Sequence, residues 1–146
     1  MKILIRKASE KDFPAIITLI KEFAVFQKTP EKVSITLEQM VTDKDIFKCL
    51  VAVAENEIAG FATYFFTYHS WSGKGLHLDD LYVKESFRKT GTGKNLLDNI
   101  IHLAKEEKCK NVRWMVSAWN HNAIDFYKKI GATVDEIDLN CNLKIN

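Results

Sequence analysis

Past the middle of this chain the apolar rhythm changes character across eight residues. From Phe47 to Leu81-Tyr82-Val83 the apolar side chains come in strand-length runs, whereas Leu96, Leu97, Ile100, Ile101, Leu103 and Ala104 form the broad stripe of an amphipathic helix. Between the two lie residues 87–94, FRKTGTGK, with two glycines, two threonines and three cations. A strand that passes through a glycine turn into a helix commits the chain to an α/β layer arrangement. It also leaves unpaired helix N–H groups and the positive end of the helix dipole aimed at the turn, which is where anions bind.

Register decides which anion class the turn can serve. A phosphate loop of the G-x-x-x-x-G-K-[ST] type needs a glycine five residues before Gly93, where Arg88 stands, and a hydroxyl after Lys94, where Asn95 stands. A dinucleotide fingerprint needs a glycine in place of Leu96, and a position at the start of a domain. Both are excluded. What remains is Arg88-x-x-Gly91-x-Gly93.

The rest of the chain reads as follows. Residues 2–7 form a first strand, and Ser9 with Asp12 begins a helix carrying Phe13, Ile16, Ile17, Ile20, Phe23 and Ala24 and ending near Gln27. Pro30 marks residues 27–34 as a loop, and Thr36 caps a short helix over LEQMVTD. CLVAVA, the turn ENE and IAGFATYFFTYH make a hairpin, and GLHLDDLYV is the next strand after a turn at residues 71–74. Beyond the helix of residues 95–107, VRWMVSAW reads as a buried strand. NAIDFYKKI reads as a helix closed by Gly131, and the tail from Thr133 as one or two short strands.

The fold class is therefore α/β, a mixed and mostly antiparallel central sheet with flanking helices, and residues 1–146 suit one domain. A formal charge of +2, from 21 cations and 19 anions spread along the chain, gives no basic field for nucleic acid. No apolar run is long enough for a signal peptide or a membrane span, so the expected setting is cytoplasmic. Cys49, Cys109 and Cys141 form no CxxC pair and read as small buried side chains. The four histidines have no ligand spacing, so no metal is expected.

The turn, the order of elements and WNHNAIDFYKKIGA at residues 119–132 together resemble the GNAT superfamily of acetyl-CoA-dependent N-acetyltransferases. LHLDDLYV and FATYFFTYHSW are similar to its spermidine/spermine and thialysine branch. The resemblance runs from the first strand to Leu143 and implies acetyl-CoA as cosubstrate, a small amine as substrate and a homodimer. It implies that Arg88, Lys89, Thr90, Gly91, Thr92, Gly93 and Lys94 cradle the CoA pyrophosphate, and that Leu81, Tyr82 and Val83 meet the pantetheine arm. Asn120 either meets that arm too or caps its helix, and Ala123 and Phe126 complete the donor site.

Acetyl transfer from a thioester needs a neutral amine, a polarised carbonyl and a proton for the leaving thiolate. By spacing alone Tyr127 is a core aromatic; the resemblance makes it the proton donor. Asp79 and Asp80, adjacent in a strand, are expected to point to opposite faces, so that only one can face a given cleft; the resemblance to the polyamine branch makes Asp79 or Asp80 the candidate for steering the amine and passing its proton to water. Asp79 is the catalytic candidate, His77 a weaker base, and Gln27, Asp79, Asp80 and Trp114 the substrate residues. Of the aromatic group Phe61, Tyr64, Phe65, Phe66, Tyr68 and Trp71, alternation buries about half. Gln27, Lys28, Glu31 and Lys32 stand where the polyamine enzymes resemble an acidic cluster, which favours a mono- or diamine or a lysine-like amino acid over spermine. A protein or peptide amine acetyltransferase and a non-catalytic CoA-binding sensor are the competing readings.

Overall fold

The computed structural model describes residues 2–145. The chain divides into two compact units, one ending at Trp114 and the other starting at Met115.

The first unit is built on a five-stranded sheet in the order β1-β2-β3-β4-β5: β1 (Ile3–Lys7), β2 (Lys48–Ala54), β3 (Glu57–His69), β4 (Gly73–Val83) and β5 (Val112–Arg113). β1 to β4 pair antiparallel in sequence order, and β5 joins β4 in parallel. α1 (Phe13–Phe26) and α2 (Leu37–Thr42) precede β2, and α3 (Thr92–Glu106) separates β4 from β5. Each face of the sheet has its own core. α1 and α2 bury Phe13, Ile16, Leu19 and Met40 against Val51, Phe61 and Tyr82. α3 buries Leu96, Leu97, Ile100 and Ala104 against Leu50, Ala62, Leu76 and Leu78. Strand alternation thus divides one sequence run between two cores.

Local chemistry sets the element ends. The Thr36 hydroxyl accepts the Gln39 N–H at 3.1 Å and caps α2. A 3-10 turn at Glu10–Asp12 stands before α1, and the Asp12 carboxylate there takes the Ser9 N–H at 2.7 Å and both Arg6 guanidinium nitrogens at 2.7 and 2.9 Å. The loop after α1 contains a further 3-10 turn at Pro30–Lys32.

The second unit contains α4 (His121–Lys129), with Gly131 just beyond its end at φ +97°. Two expectations fail in this part of the chain. VRWMVSAW is paired as strand only at Val112 and Arg113, and no strand occurs among residues 133–145. Alternation says which side chains would share a face, but a strand also needs a neighbour to satisfy its N–H and C=O groups. Ile137, Leu139, Leu143 and Ile145 are exposed. So is Cys141, whereas Cys109 is half-buried and Cys49 is buried with its thiol pushed up to about 12 by loss of solvent. Among the described residues no helix is long and apolar enough to cross a membrane.

Candidate active site

β4 changes neighbours halfway along its length. Its pairing with β5 is limited to Leu76 with Val112 and His77 with Arg113, so from Leu78 to Val83 only β3 flanks it in the sheet. Hydrogen bonds show which main-chain groups point where. The Asp80 N–H goes to Thr63 and the Lys84 N–H goes to the Ala59 carbonyl, both on β3 or at its start. The alternation of an antiparallel ladder then turns the main-chain groups of Leu81 and Val83 to the outer edge, and those of Tyr82 inward to Phe61. Of the three expected arm-binding residues, the structure gives that orientation to two.

The outer edge leads into the glycine turn. Lys89 has φ +63° and Gly91 φ +83°, and these two left-handed residues bring the chain round into α3. No side chain caps α3, so the first-turn amides of Thr92, Gly93 and Lys94 have no intrahelical or capping acceptor. The Thr90 hydroxyl donates to the Phe87 carbonyl and lies 2.7 Å from the buried Thr92 hydroxyl, which fixes the turn from within. A methyl group on Gly93 would meet Val83 and Leu81 side chains at an ordinary 3.7 and 3.8 Å. Packing in the folded chain therefore does not require glycine there.

The cations are differently engaged. Lys94 pairs with Asp98 at 2.8 Å, one helical turn on. Arg88 donates from Nε to the Val83 carbonyl at 3.0 Å, and its guanidinium lies over the rings of Phe26 and Tyr82 at 5.1 and 5.3 Å. Tyr82 in turn stacks on Phe23 and donates to Glu22 at 2.8 Å. One network thus ties the turn to the end of α1. Gln27 caps that helix, its N–H donating to the Phe23 carbonyl.

The acidic pair corrects an expectation. Thr63 pairs with Asp80 but Tyr64 pairs with Leu78, so Asp79 is an extra residue, a β-bulge. Leu76 and Leu78 lie in the α3-side core, and so do Leu81 and Val83; alternation has slipped by one between them. Asp79 and Asp80 consequently share the α1 side of the sheet instead of pointing to opposite faces. At the bulge the Thr63 hydroxyl accepts the Asp80 N–H at 3.0 Å. Burial first, and the Asp79 charge second, raise the Asp80 carboxyl from 3.8 to about 6. Asp79 itself is exposed. His77, on the same face, stacks on Phe65 at 4.8 Å between ring centres.

Other predicted residues lie elsewhere. Trp114 packs against the α3-side core, on the face opposite the aspartates. Phe61 and Tyr64 are buried, while Tyr68 and Trp71 are among the most exposed residues. In the second unit, the Asn120 side chain accepts the Ala123 N–H at 3.3 Å and so caps α4, the structural member of its two alternatives. Phe126 and Tyr127 are tilted neighbours at 5.7 Å, and burial raises the Tyr127 phenol above its ordinary value. Sequence reasoning missed Thr63, Glu22 and Phe26. A threonine in an apolar strand, opposite an aspartate pair, was the available signal for the first.

The fold is that of a known class. It superposes with a TM-score of 0.80 on an aminoglycoside acetyltransferase from an uncultured soil metagenomic sample, at 22% identity, covering 99% of this chain and 97% of that one. The chain belongs to the Acetyltransferase (GNAT) family, matched over residues 13–132, and is an N-acetyltransferase. It is 34% identical over 142 residues to a thialysine N-epsilon-acetyltransferase of Sus scrofa, covering 89% of this chain and 84% of the relative. It is 32% identical to a spermidine/spermine N(1)-acetyltransferase-like protein 1 of Homo sapiens, covering 88% of this chain and 20% of the relative.

Proposed function

We propose that the enzyme moves the acetyl group of acetyl-CoA directly to a primary amine of a small, lysine-like or diamine substrate, within one ternary complex. The observation that carries this reading is the bulge in β4. It sets two carboxylates side by side on a strand whose outer edge runs into an uncapped helix amino terminus. Similarity to thialysine N-epsilon-acetyltransferases supports the substrate class.

In this reading the amides of residues 89–94 hold the donor's pyrophosphate, with Arg88, Lys89 and Lys94 as charge partners, and the outward groups of Leu81 together with the Val83 N–H hold its arm, the Val83 carbonyl being taken by Arg88. For Asn120, Ala123 and Phe126 a donor-binding role is proposed from the family resemblance alone. Asp79 attracts the ammonium and Asp80 takes its proton, directly or through water. A primary ammonium near ~10.4 lies far above an ordinary carboxylate, and lifting the acceptor from 3.8 to about 6 makes that transfer easier by roughly 3 kcal/mol. Tyr127, whose phenol is protonated at neutral pH, gives its proton to the departing thiolate. Gln27 with its neighbouring lysines disfavours a polycation of three or four charges.

The family match runs through both compact units, which supports their working as one domain. A homodimer is proposed from the family resemblance and is tested by sedimentation; a monomer at micromolar concentration refutes it. The function is tested by following thiol release from acetyl-CoA with diamines, polyamines, thialysine, lysine and peptides. Fastest turnover with a lysine-like amino acid or diamine is expected. A preference for peptides, or CoA binding without thiol release with any amine, refutes the reading.

A further inference from the structure

A buried hydroxyl sits opposite the acidic pair, where a strand core needs none. Thr63 is only 7% exposed and lies in β3 between Ala62 and Tyr64, both core residues. Valine would fill the same volume in a strand. What the hydroxyl adds is an acceptor. The bulge at Asp79 disturbs the ladder at this point, and the Thr63 oxygen accepts the Asp80 N–H at 3.0 Å, a bond whose loss leaves a half-buried donor less well satisfied.

We infer that Thr63 is a positioning residue for acetyl transfer: by accepting the Asp80 N–H, it holds the bulge that keeps Asp79 and Asp80 side by side on the α1 face. The inference rests on the reading above that this pair handles the amine. The apolar register keeps the extra residue in β4 in any case, since regular alternation would turn Leu81 and Val83 out of the α3-side core; what the acceptor fixes is the main chain at Asp80 within the bulge, and without it the two carboxylates lose their set placement side by side. Among the described residues, β2 brings Cys49, which pairs with Thr63 in the ladder, to this face, and β1 brings Arg6 with its partner Asp12. β4 contributes Asp79 and His77, which is stacked on Phe65 of β3, and Tyr82, whose hydroxyl binds Glu22 of α1 and whose ring lies under Arg88. Of these, Asp79 is the one whose charge acts on Asp80.

The test compares Thr63→Val and Thr63→Ser with the wild type, using the best amine from the panel above and acetyl-CoA, across pH 5 to 9. Thr63→Val is expected to lower kcat/KM for the amine at least tenfold, to leave KM for acetyl-CoA within twofold, and to move the acid limb near pH 6 downward. Thr63→Ser is expected to stay within twofold of the wild type. Exchange of the Asp80 amide hydrogen, read by NMR, is expected to accelerate in the valine variant and not in the serine variant. Thr63→Ala removes the same acceptor if the valine variant does not accumulate. Wild-type kinetics and Asp80 exchange in the valine or alanine variant, with Asp80→Asn impaired, would sink the role of Thr63 alone. Full activity in both Asp79→Asn and Asp80→Asn would instead sink the reading of the acidic pair on which it rests.

Discussion

Replacing Asp80 with asparagine is expected to make the protein more stable and less active. The carboxyl is raised from 3.8 to about 6, chiefly by burial and then by Asp79. Between those two values the folded protein holds a proton that the unfolded chain has released, so stability falls as pH rises through the window and stays lower above it. At about 1.4 kcal/mol per pH unit the gap corresponds to ~3 kcal/mol, reduced to ~1–2 kcal/mol by the solvent that the group still meets. Asparagine has the same shape and no charge, so at pH 7.5 it removes this burden. With roughly 2–4 °C in Tm per kcal/mol for a domain of this length, the gain is about 2–8 °C. The assay is thermal unfolding followed by circular dichroism at pH 7.5 and at pH 4, where the wild-type carboxyl is protonated when folded and the two proteins converge. No gain at pH 7.5, or an equal gain at both pH values, would refute the reasoning.

Two further outcomes are expected. Tyr127→Phe lowers kcat at least tenfold and leaves KM for acetyl-CoA within twofold, as steady-state kinetics would show; kcat within twofold of the wild type removes Tyr127 from the proton path. Asp12, held at about 2 mainly by its Arg6 hydrogen bonds, contributes stability that is complete above pH 3.8 and lost as pH falls through about 2. Asp12→Asn is expected to cost about 2–3 kcal/mol at pH 7 and to flatten the acid unfolding curve below pH 4, so parallel curves for the two proteins would contradict the assignment.

Much of the first unit was legible in the sequence because its signals are local. The spacing of Phe13, Ile16 and Ile17, the cap at Thr36, and Gly91 before the stripe of α3 each depend on a few neighbouring residues. The bulge was not read from the sequence: the two polar residues in Leu78-Asp79-Asp80-Leu81 break the alternation, but the pairing against Thr63 and Tyr64 is what makes that break an extra residue. The same limit explains residues 114–118 and the tail. Their apolar spacing is that of strands, but pairing is a property of the neighbour, which spacing does not contain. For the candidate site, the turn and its glycines were read correctly in position. The engagement of Arg88 with Val83, Phe26 and Tyr82 depends on α1, which lies more than sixty residues earlier in the chain.

The bulge also has a meaning in the arithmetic of chain length. Deleting one aspartate from β4 would leave Leu76, Leu78, Leu81 and Val83 on their present face, now in unbroken alternation, with Tyr82 still on the other. A chain of one residue fewer would thus keep both cores and form a more regular strand. The two cores therefore have no use for the additional residue, whose effect is to turn a plain scaffold strand into one that carries two adjoining acids.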